Sequence, residues 1–232
     1  MFDLLTLIAL SLQGAILGLL AVAISRRNVA AAVNALAALA LALLPAILEI
    51  SFRLVRAEQL GLDPWLALWL GVAGFLHSLG MLGPYDSIWW WDHLTHTVSA
   101  VLVAALLYAA LIVAPFLETT QWPGTVAGLT VAFTLAVGVF WELIELVARD
   151  VADRLDIEPV LVHYGWRDTA LDIVFDVVGA LVVVVFDVRI FVSIVERFPA
   201  TTETLLVASG WTVVLGSIAM VLFVGISSSI QS

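Results

Sequence analysis

The sequence predicts an all-α protein, a polytopic bundle of about seven transmembrane helices, and three observations carry that expectation. Hydrophobic residues make up 63% of the 232 positions and charged residues only 12%, too little polar surface to cover a soluble globule. Several apolar runs reach the roughly 20 residues that a helix needs to cross ~30 Å of hydrocarbon at ~1.5 Å per residue. The runs are continuous and do not alternate at every second residue, which argues against a β-barrel. Residues 1–232 read as a single integral membrane domain, multi-pass in the cell membrane, with the lipid bilayer as its first partner.

Composition narrows the function classes. The absence of cysteine removes disulfide frameworks and thiolate metal sites. A net charge of −10 comes from 19 acids against 9 bases. Every base is arginine, and with abundant alanine and valine this gives a salt-adapted, halophile-like composition. No basic patch is present to neutralise phosphates, so nucleic acid is not an expected partner.

The first helix is expected from about Leu4 to Ile24, stopping at Arg26 and Arg27. Asp3 precedes its apolar run and no small-residue cleavage site follows, so it reads as a retained helix and not as a secretory signal. The second, about Val29 to Ile50, is mostly Ala and Leu and closes on Glu49, Arg53 and Arg56, which can pair at the interface. Asp63-Pro64 favours a new helix start, and this third helix runs to about Leu82 with His77 in its second half.

Gly83-Pro84 breaks the chain, and Trp89, Trp90 and Trp91 form an aromatic belt at headgroup level. The fourth helix then spans about Trp91 to Val113, and Pro115 to Gly124 is a polar connection. The fifth spans about Thr125 to Val147. Arg149 to Arg167 is the longest hydrophilic segment, read as a surface lid in which His163 and Tyr164 are surface residues. The sixth spans about Asp168 to Phe186. The seventh, about Thr204 to Ile226, is uncharged, with Gly210, Gly216 and Gly225 placed for close packing.

Alternating crossings put His77, Asp92, His93, His96, Glu142, Glu145, Asp168, Asp172 and Asp176 in one half of the bilayer. Arginines near that side (Arg26, Arg27, Arg149, Arg154, Arg167) outnumber those on the other (Arg53, Arg56, Arg189, Arg197) by one, which narrowly favours the cytoplasm.

Helical spacing groups these residues. Asp92 and His96 are i, i+4; His93 and His96, like Glu142 and Glu145, are i, i+3; Asp168, Asp172 and Asp176 form an i, i+4, i+8 stripe. Such a cluster in low dielectric must bind a cation, hold protons or pair with arginine. Only Arg149, Arg154 and Arg167 stand near enough to help, so metal or protons are favoured. Carboxylates with imidazole suit a divalent zinc, manganese, iron or magnesium ion. The candidate ligands are Asp92, His96, Glu142, Asp168, Asp172 and Asp176, with Glu145 or His93 as general base or acid.

Plainer readings stand beside these. His77 is more often a hydrogen-bonded packing residue than a ligand; His93 could face the headgroups; Asp168 could be an N-cap. Asp172 and Asp176 lie too deep in their helix for that, and Glu142 and Glu145 near a helix C-terminus would oppose its dipole.

The order Tyr85, Asp92-x-x-x-His96, Glu142-Leu143-Ile144-Glu145, Asp168-Thr169-x-x-Asp172 and Gly179-Ala180 resembles the YjdF-like (DUF2238) membrane proteins, and more distantly the VanZ-like proteins. The likeness covers about residues 85–182. It implies a membrane protein whose shared site comprises Asp92, His96, Glu142, Glu145, Asp168 and Asp172; His93 and Asp176 fall where the family pattern is looser. The leading expectation is a metal-dependent hydrolase or transferase acting on a lipid or lipid-linked substrate. A proton- or cation-coupled transporter and a non-catalytic protein with a structural ion site are the alternatives.

Overall fold

Tight turns and proline starts punctuate long apolar stretches, and the helices follow that punctuation. The computed structural model describes residues 3–56, 60–113, 124–157, 159–161 and 165–231; among these it has nine helices and no strand. All seven expected helices are present, with two short ones added. The chain divides into two compact units, residues 1–95 and 96–232.

The first unit holds α1 (Leu4–Ser25), α2 (Val29–Arg56), α3 (Pro64–Gly80) and the single turn α4 (Pro84–Ser87). Asp3 caps α1 by accepting the Thr6 N–H at 2.7 Å, and that bond holds the Asp3 carboxyl below its ordinary range. Asp63 caps α3 through the Trp65 N–H at 3.0 Å, as the Asp63-Pro64 pair predicts. α2 continues past Ile50 because Glu49 and Arg53 form an i, i+4 pair at 3.8 Å, which supports a further turn beyond the apolar run. Gly83 permits the turn before α4 with φ of +145°, which side-chain-bearing residues rarely adopt.

Ile16, Ala38 and Ala42, with Leu39 and Phe75, make the core of this unit. Small residues let the helices close: a Cβ on Gly74 would stand 3.1 Å from that of Ala38. The Gln13 side-chain amide of α1 donates to the Ala42 carbonyl of α2 at 2.8 Å. That carbonyl lies three residues before Pro45, in the turn whose hydrogen bonds a helical proline weakens.

The second unit comprises most of α5 (Trp91–Val113), then α6 (Thr125–Leu155), α7 (Trp166–Val185), α8 (Val192–Arg197) and α9 (Pro199–Gln231). The dividing line falls inside α5, which runs through it as one helix with the bounds expected from sequence. α6 corrects the expected end at Val147. The charges taken as the start of a surface lid instead build about two more helical turns, with Asp150–Arg154 paired at 2.9 Å and Arg149–Asp153 at 4.0 Å. Asp156 then ends the helix in the left-handed region. His163, Tyr164 and most of the expected Pro115–Gly124 connection lie outside the described residues.

α7 approaches α5 at Gly179, where a Cβ would stand 2.7 Å from the Thr97 carbonyl and 2.8 Å from the Ala100 Cβ. α9 approaches α6 at Gly216, against the Phe140 ring, and more loosely at Gly210; Gly225 meets nothing within 4 Å and so takes no part in the close packing expected of it. Beyond α7, Asp187 accepts the Tyr108 hydroxyl at 2.8 Å and pairs with Arg189 at 2.8 Å.

Among the described residues five helices, α1, α2, α5, α6 and α9, are long and apolar enough to cross a membrane. α3 falls short at 17 residues, and α7 has the length but carries Asp168, Asp172 and Asp176. At 31 residues α6 extends about 46 Å, more than the hydrocarbon thickness, so its charged last turns are the part that leaves the apolar layer.

Candidate metal centre

Three helices of the second unit each deliver an inward-facing acid or imidazole. α5 carries His96, α6 carries Glu142, and α7 carries Asp172 and Asp176 one turn apart. All are buried, with relative exposures of 8% for His96, 6% for Glu142, 2% for Asp172 and 5% for Asp176. Solvation therefore comes from partners, not from bulk water.

His96 is the hub. Its Nδ1 lies 3.2 Å from Asp176 Oδ1, within hydrogen-bond reach. Its Nε2 lies 3.9 Å from Glu142 Oε1. The second distance is too long for a hydrogen bond and slightly wider than the ~3.4 Å between two ligands ~2.1 Å from a tetrahedral ion. His96 and Asp172 offer ligand atoms within 4.8 Å of one another, and so do Asp92 and His96, adjacent turns of the single helix α5. His96 and Asp172, both of the second unit, could hold a metal ion between them.

Gly138 completes this arrangement and was not singled out from the sequence. It stands one turn before Glu142 on the same face of α6, and the Asp176 carboxylate fills the space where a Cβ would be. Asp176 Oδ2 has no hydrogen-bond partner there. The i−4 spacing to Glu142 was the available signal: a glycine on the polar face of an apolar helix marks a close approach.

Other expected site residues fall around this centre. Glu145 accepts the Trp141 indole N–H at 2.8 Å, so Trp141 is a hydrogen-bonding neighbour as well as a packing residue. His93 is buried at 7% exposure, which corrects the reading that it faces the headgroups; its ring stands edge-on to Trp89 at 6.3 Å. Asp168 lies in the first turn of α7, where Gly165, not Asp168, is the N-cap. Among the described residues it is outside the metal-competent group. Glu142 and Glu145 lie well inside α6, which continues ten residues beyond Glu145, so the helix dipole does not oppose them as the shorter helix implied. His77 is held by Asn34 at 3.0 Å and Tyr85 at 2.6 Å, as the packing reading expects.

The arginines that the sequence offered to neutralise the cluster are engaged elsewhere. Arg149 and Arg154 pair with Asp153 and Asp150 on their own helix. The Arg167 guanidinium lies over the Trp166 ring at 5.5 Å.

The model of a family of predicted membrane proteins, DUF2238, matches residues 7–193. The chain belongs to the DUF2238 family. The DUF2238 match runs from within α1 through α7 and into α8, so it contains every residue of the candidate metal centre. No curated protein and no solved structure is similar enough to count as a match.

Proposed function

We propose that this protein is a divalent-metal-dependent membrane enzyme that hydrolyses or transfers a group on a lipid or lipid-linked substrate. The observation that carries the reading is the position of His96 between two acids from two helices, with Asp172 close enough to share an ion. Asp176 accepts the Nδ1 proton and so leaves Nε2 as the ligating nitrogen, the usual device by which a carboxylate orients a metal-bound histidine. His96 and Asp172 are the proposed ligands, with Asp92 one turn before His96 on α5, Glu142 beside Nε2 to complete the set, and Asp168 one turn before Asp172 on α7. Zinc, manganese, iron and magnesium all suit carboxylate and imidazole donors. When bound, such an ion polarises a phosphoryl or carbonyl oxygen and activates water.

Glu145, oriented by the Trp141 N–H, is the proposed general base, with His93 as the alternative acid or base. A lipid substrate is favoured because these groups ride on membrane helices with outward surfaces of exposed Leu, Val and Ile. The continuity of α5, α6 and α7 supports an enzyme over a transporter, whose sites are commonly lined by broken helices. The excess of one arginine on its side narrowly favours a cytoplasmic centre.

Elemental analysis of the purified protein tests the reading. Wild type is expected to carry near-stoichiometric metal that is lost in both His96→Ala and Asp172→Asn. Wild type that takes up none of the four metals would refute it.

A further inference from the structure

His77 of α3 has a partner at each ring nitrogen, and the protons of those partners decide which form the ring takes. Asn34 of α2 donates its Nδ2 to the Ala30 carbonyl at 2.9 Å. A carbonyl only accepts, so this bond orients the amide and presents Oδ1 to His77 Nε2, 3.0 Å away. An amide oxygen also only accepts, so Nε2 carries the proton of the neutral ring. Nδ1 is then an acceptor, and the Tyr85 hydroxyl donates its one proton to it at 2.6 Å.

A second acceptor stands within reach of the Tyr85 oxygen. Thr95 Oγ1 lies 3.3 Å away, and its own proton goes to the Asp92 carbonyl oxygen at 2.8 Å, which leaves its lone pairs to accept. When His77 gains a proton at Nδ1, no bond in this group has to be left unmade. Nε2–H stays on Asn34 Oδ1, Nδ1–H donates to the Tyr85 oxygen, and Tyr85 turns its hydroxyl hydrogen to Thr95. One hydrogen rotates, and each donor still has an acceptor. Burial gives that completeness its weight, because an unmatched donor costs most where water is scarce. Asn34 and Thr95 are buried, and Gly80 admits the phenol so closely that a Cβ there would run into the Tyr85 ring.

Among the described residues, the elements against α3 carry few other ionisable groups. α1 has none between Leu4 and Ser25, and those of α2, Glu49, Arg53 and Arg56, begin about 22 Å along the helix from Asn34. α4 adds Tyr85 and exposed Asp86. The start of α5, tied to α3 by the Trp91 indole donating to the Leu76 carbonyl at 3.3 Å, adds Asp92 and His93. Asp86 and Asp92 are thus the acids that α4 and α5 contribute around a charged ring. We infer that His77 is a proton-binding site of the first unit, and that its protonation switches the Tyr85 hydroxyl from His77 to Thr95, linking α3 through α4 to the start of α5. Asn34, His77, Tyr85 and Thr95 all belong to residues 1–95, so the switch is confined to one unit and is independent of the metal reading.

Nitrogen NMR of the full-length protein in detergent, labelled in its histidine rings and titrated from about pH 8 to about pH 4, reads the ring directly, with His77→Gln identifying its signals. In wild type the neutral ring is expected to hold its proton on Nε2, and the acid form to hold one on each nitrogen. Thr95→Val removes the acceptor that only the protonated form needs. It is expected to take up the proton about 1 to 2 pH units lower than wild type, with Thr95→Ser near wild type and the neutral rings of all three alike. A neutral ring protonated on Nδ1 overturns the inference, and so does Thr95→Val that titrates together with wild type. A wild-type His77 that remains neutral down to about pH 4 overturns it as well. The wild-type tautomer and titration decide the matter on their own where a Thr95 variant does not fold.

Discussion

His96 and Asp176 meet through Nδ1 and Oδ1 at 3.2 Å, a contact between residues 80 positions apart that ties α5 to α7 inside the apolar layer. It makes Asp176 the group that decides which nitrogen of His96 is available. Asp176→Asn keeps the size and can still accept through its amide oxygen, but removes the negative charge behind the ring. Metal affinity is expected to fall about 10- to 100-fold while His96→Ala abolishes binding. Equal affinities for Asp176→Asn and wild type, read by calorimetry, would show that Asp176 does not orient the ligand.

Gly138 leaves room for the Asp176 carboxylate, whereas Gly128, on the same helix, meets nothing within 4 Å. Gly138→Ala is expected to cost about 1–3 kcal/mol through overpacking and to weaken metal binding as well. Gly128→Ala should be neutral or stabilising by up to ~1 kcal/mol, because alanine is the better helix former. Thermal unfolding in detergent compares the two, and equal midpoints would remove the close approach from the account.

The same contrast exists on α9. A Cβ on Gly216 would stand 2.6 Å from the Phe140 ring, but one on Gly225 would meet open space. Gly216→Ala is expected to destabilise by about 1 kcal/mol or more, and Gly216→Leu to free α9 for proteolysis. Gly225→Ala should leave both readouts unchanged.

Acid sensitivity is expected at the far end of α5. The Arg189 side chain, and after it the Tyr108 hydroxyl, holds the Asp187 carboxyl below its ordinary value of 3.8. A carboxyl depressed in the folded state adds stability that is fully present above its unfolded value and is lost as pH falls through the folded one. The gap in thermal midpoint between wild type and Asp187→Asn should be constant from about pH 7 to pH 5 and close below about pH 4. A gap that widens with acid would contradict the assignment.

Apolar runs and breakers made most of the fold readable: α5 keeps its expected ends, and α1 begins at the expected residue because Asp3 is a cap that the sequence displays. Helix ends defined by charge were misjudged. Glu49–Arg53 and Asp150–Arg154 look like interface markers in a hydropathy reading, yet their i, i+4 spacing is what lets α2 and α6 continue into a wetter layer. At the candidate metal centre, residue types and spacings singled out His96, Glu142, Asp172 and Asp176, which are all buried, His96 lying beside Glu142 and Asp176. What spacing could not show was the division of labour, since whether Asp176 faces the ion or the imidazole depends on where Gly138 lets its carboxylate settle. Tyr85 stood in the motif without a partner, because its contact with His77 crosses the Gly83-Pro84 break and follows no helical spacing.

The bond from Gln13 to the Ala42 carbonyl bears on how freely α1 can be exchanged. By hydropathy, any uncharged stretch of the same length would serve as well, and Gln13 would count only as a blemish. In the folded chain it is the feature that tells α1 from a generic anchor, matching one polar side chain to the one turn of α2 that Pro45 leaves short of donors. A polyleucine replacement would still enter the bilayer and would no longer recognise its neighbour.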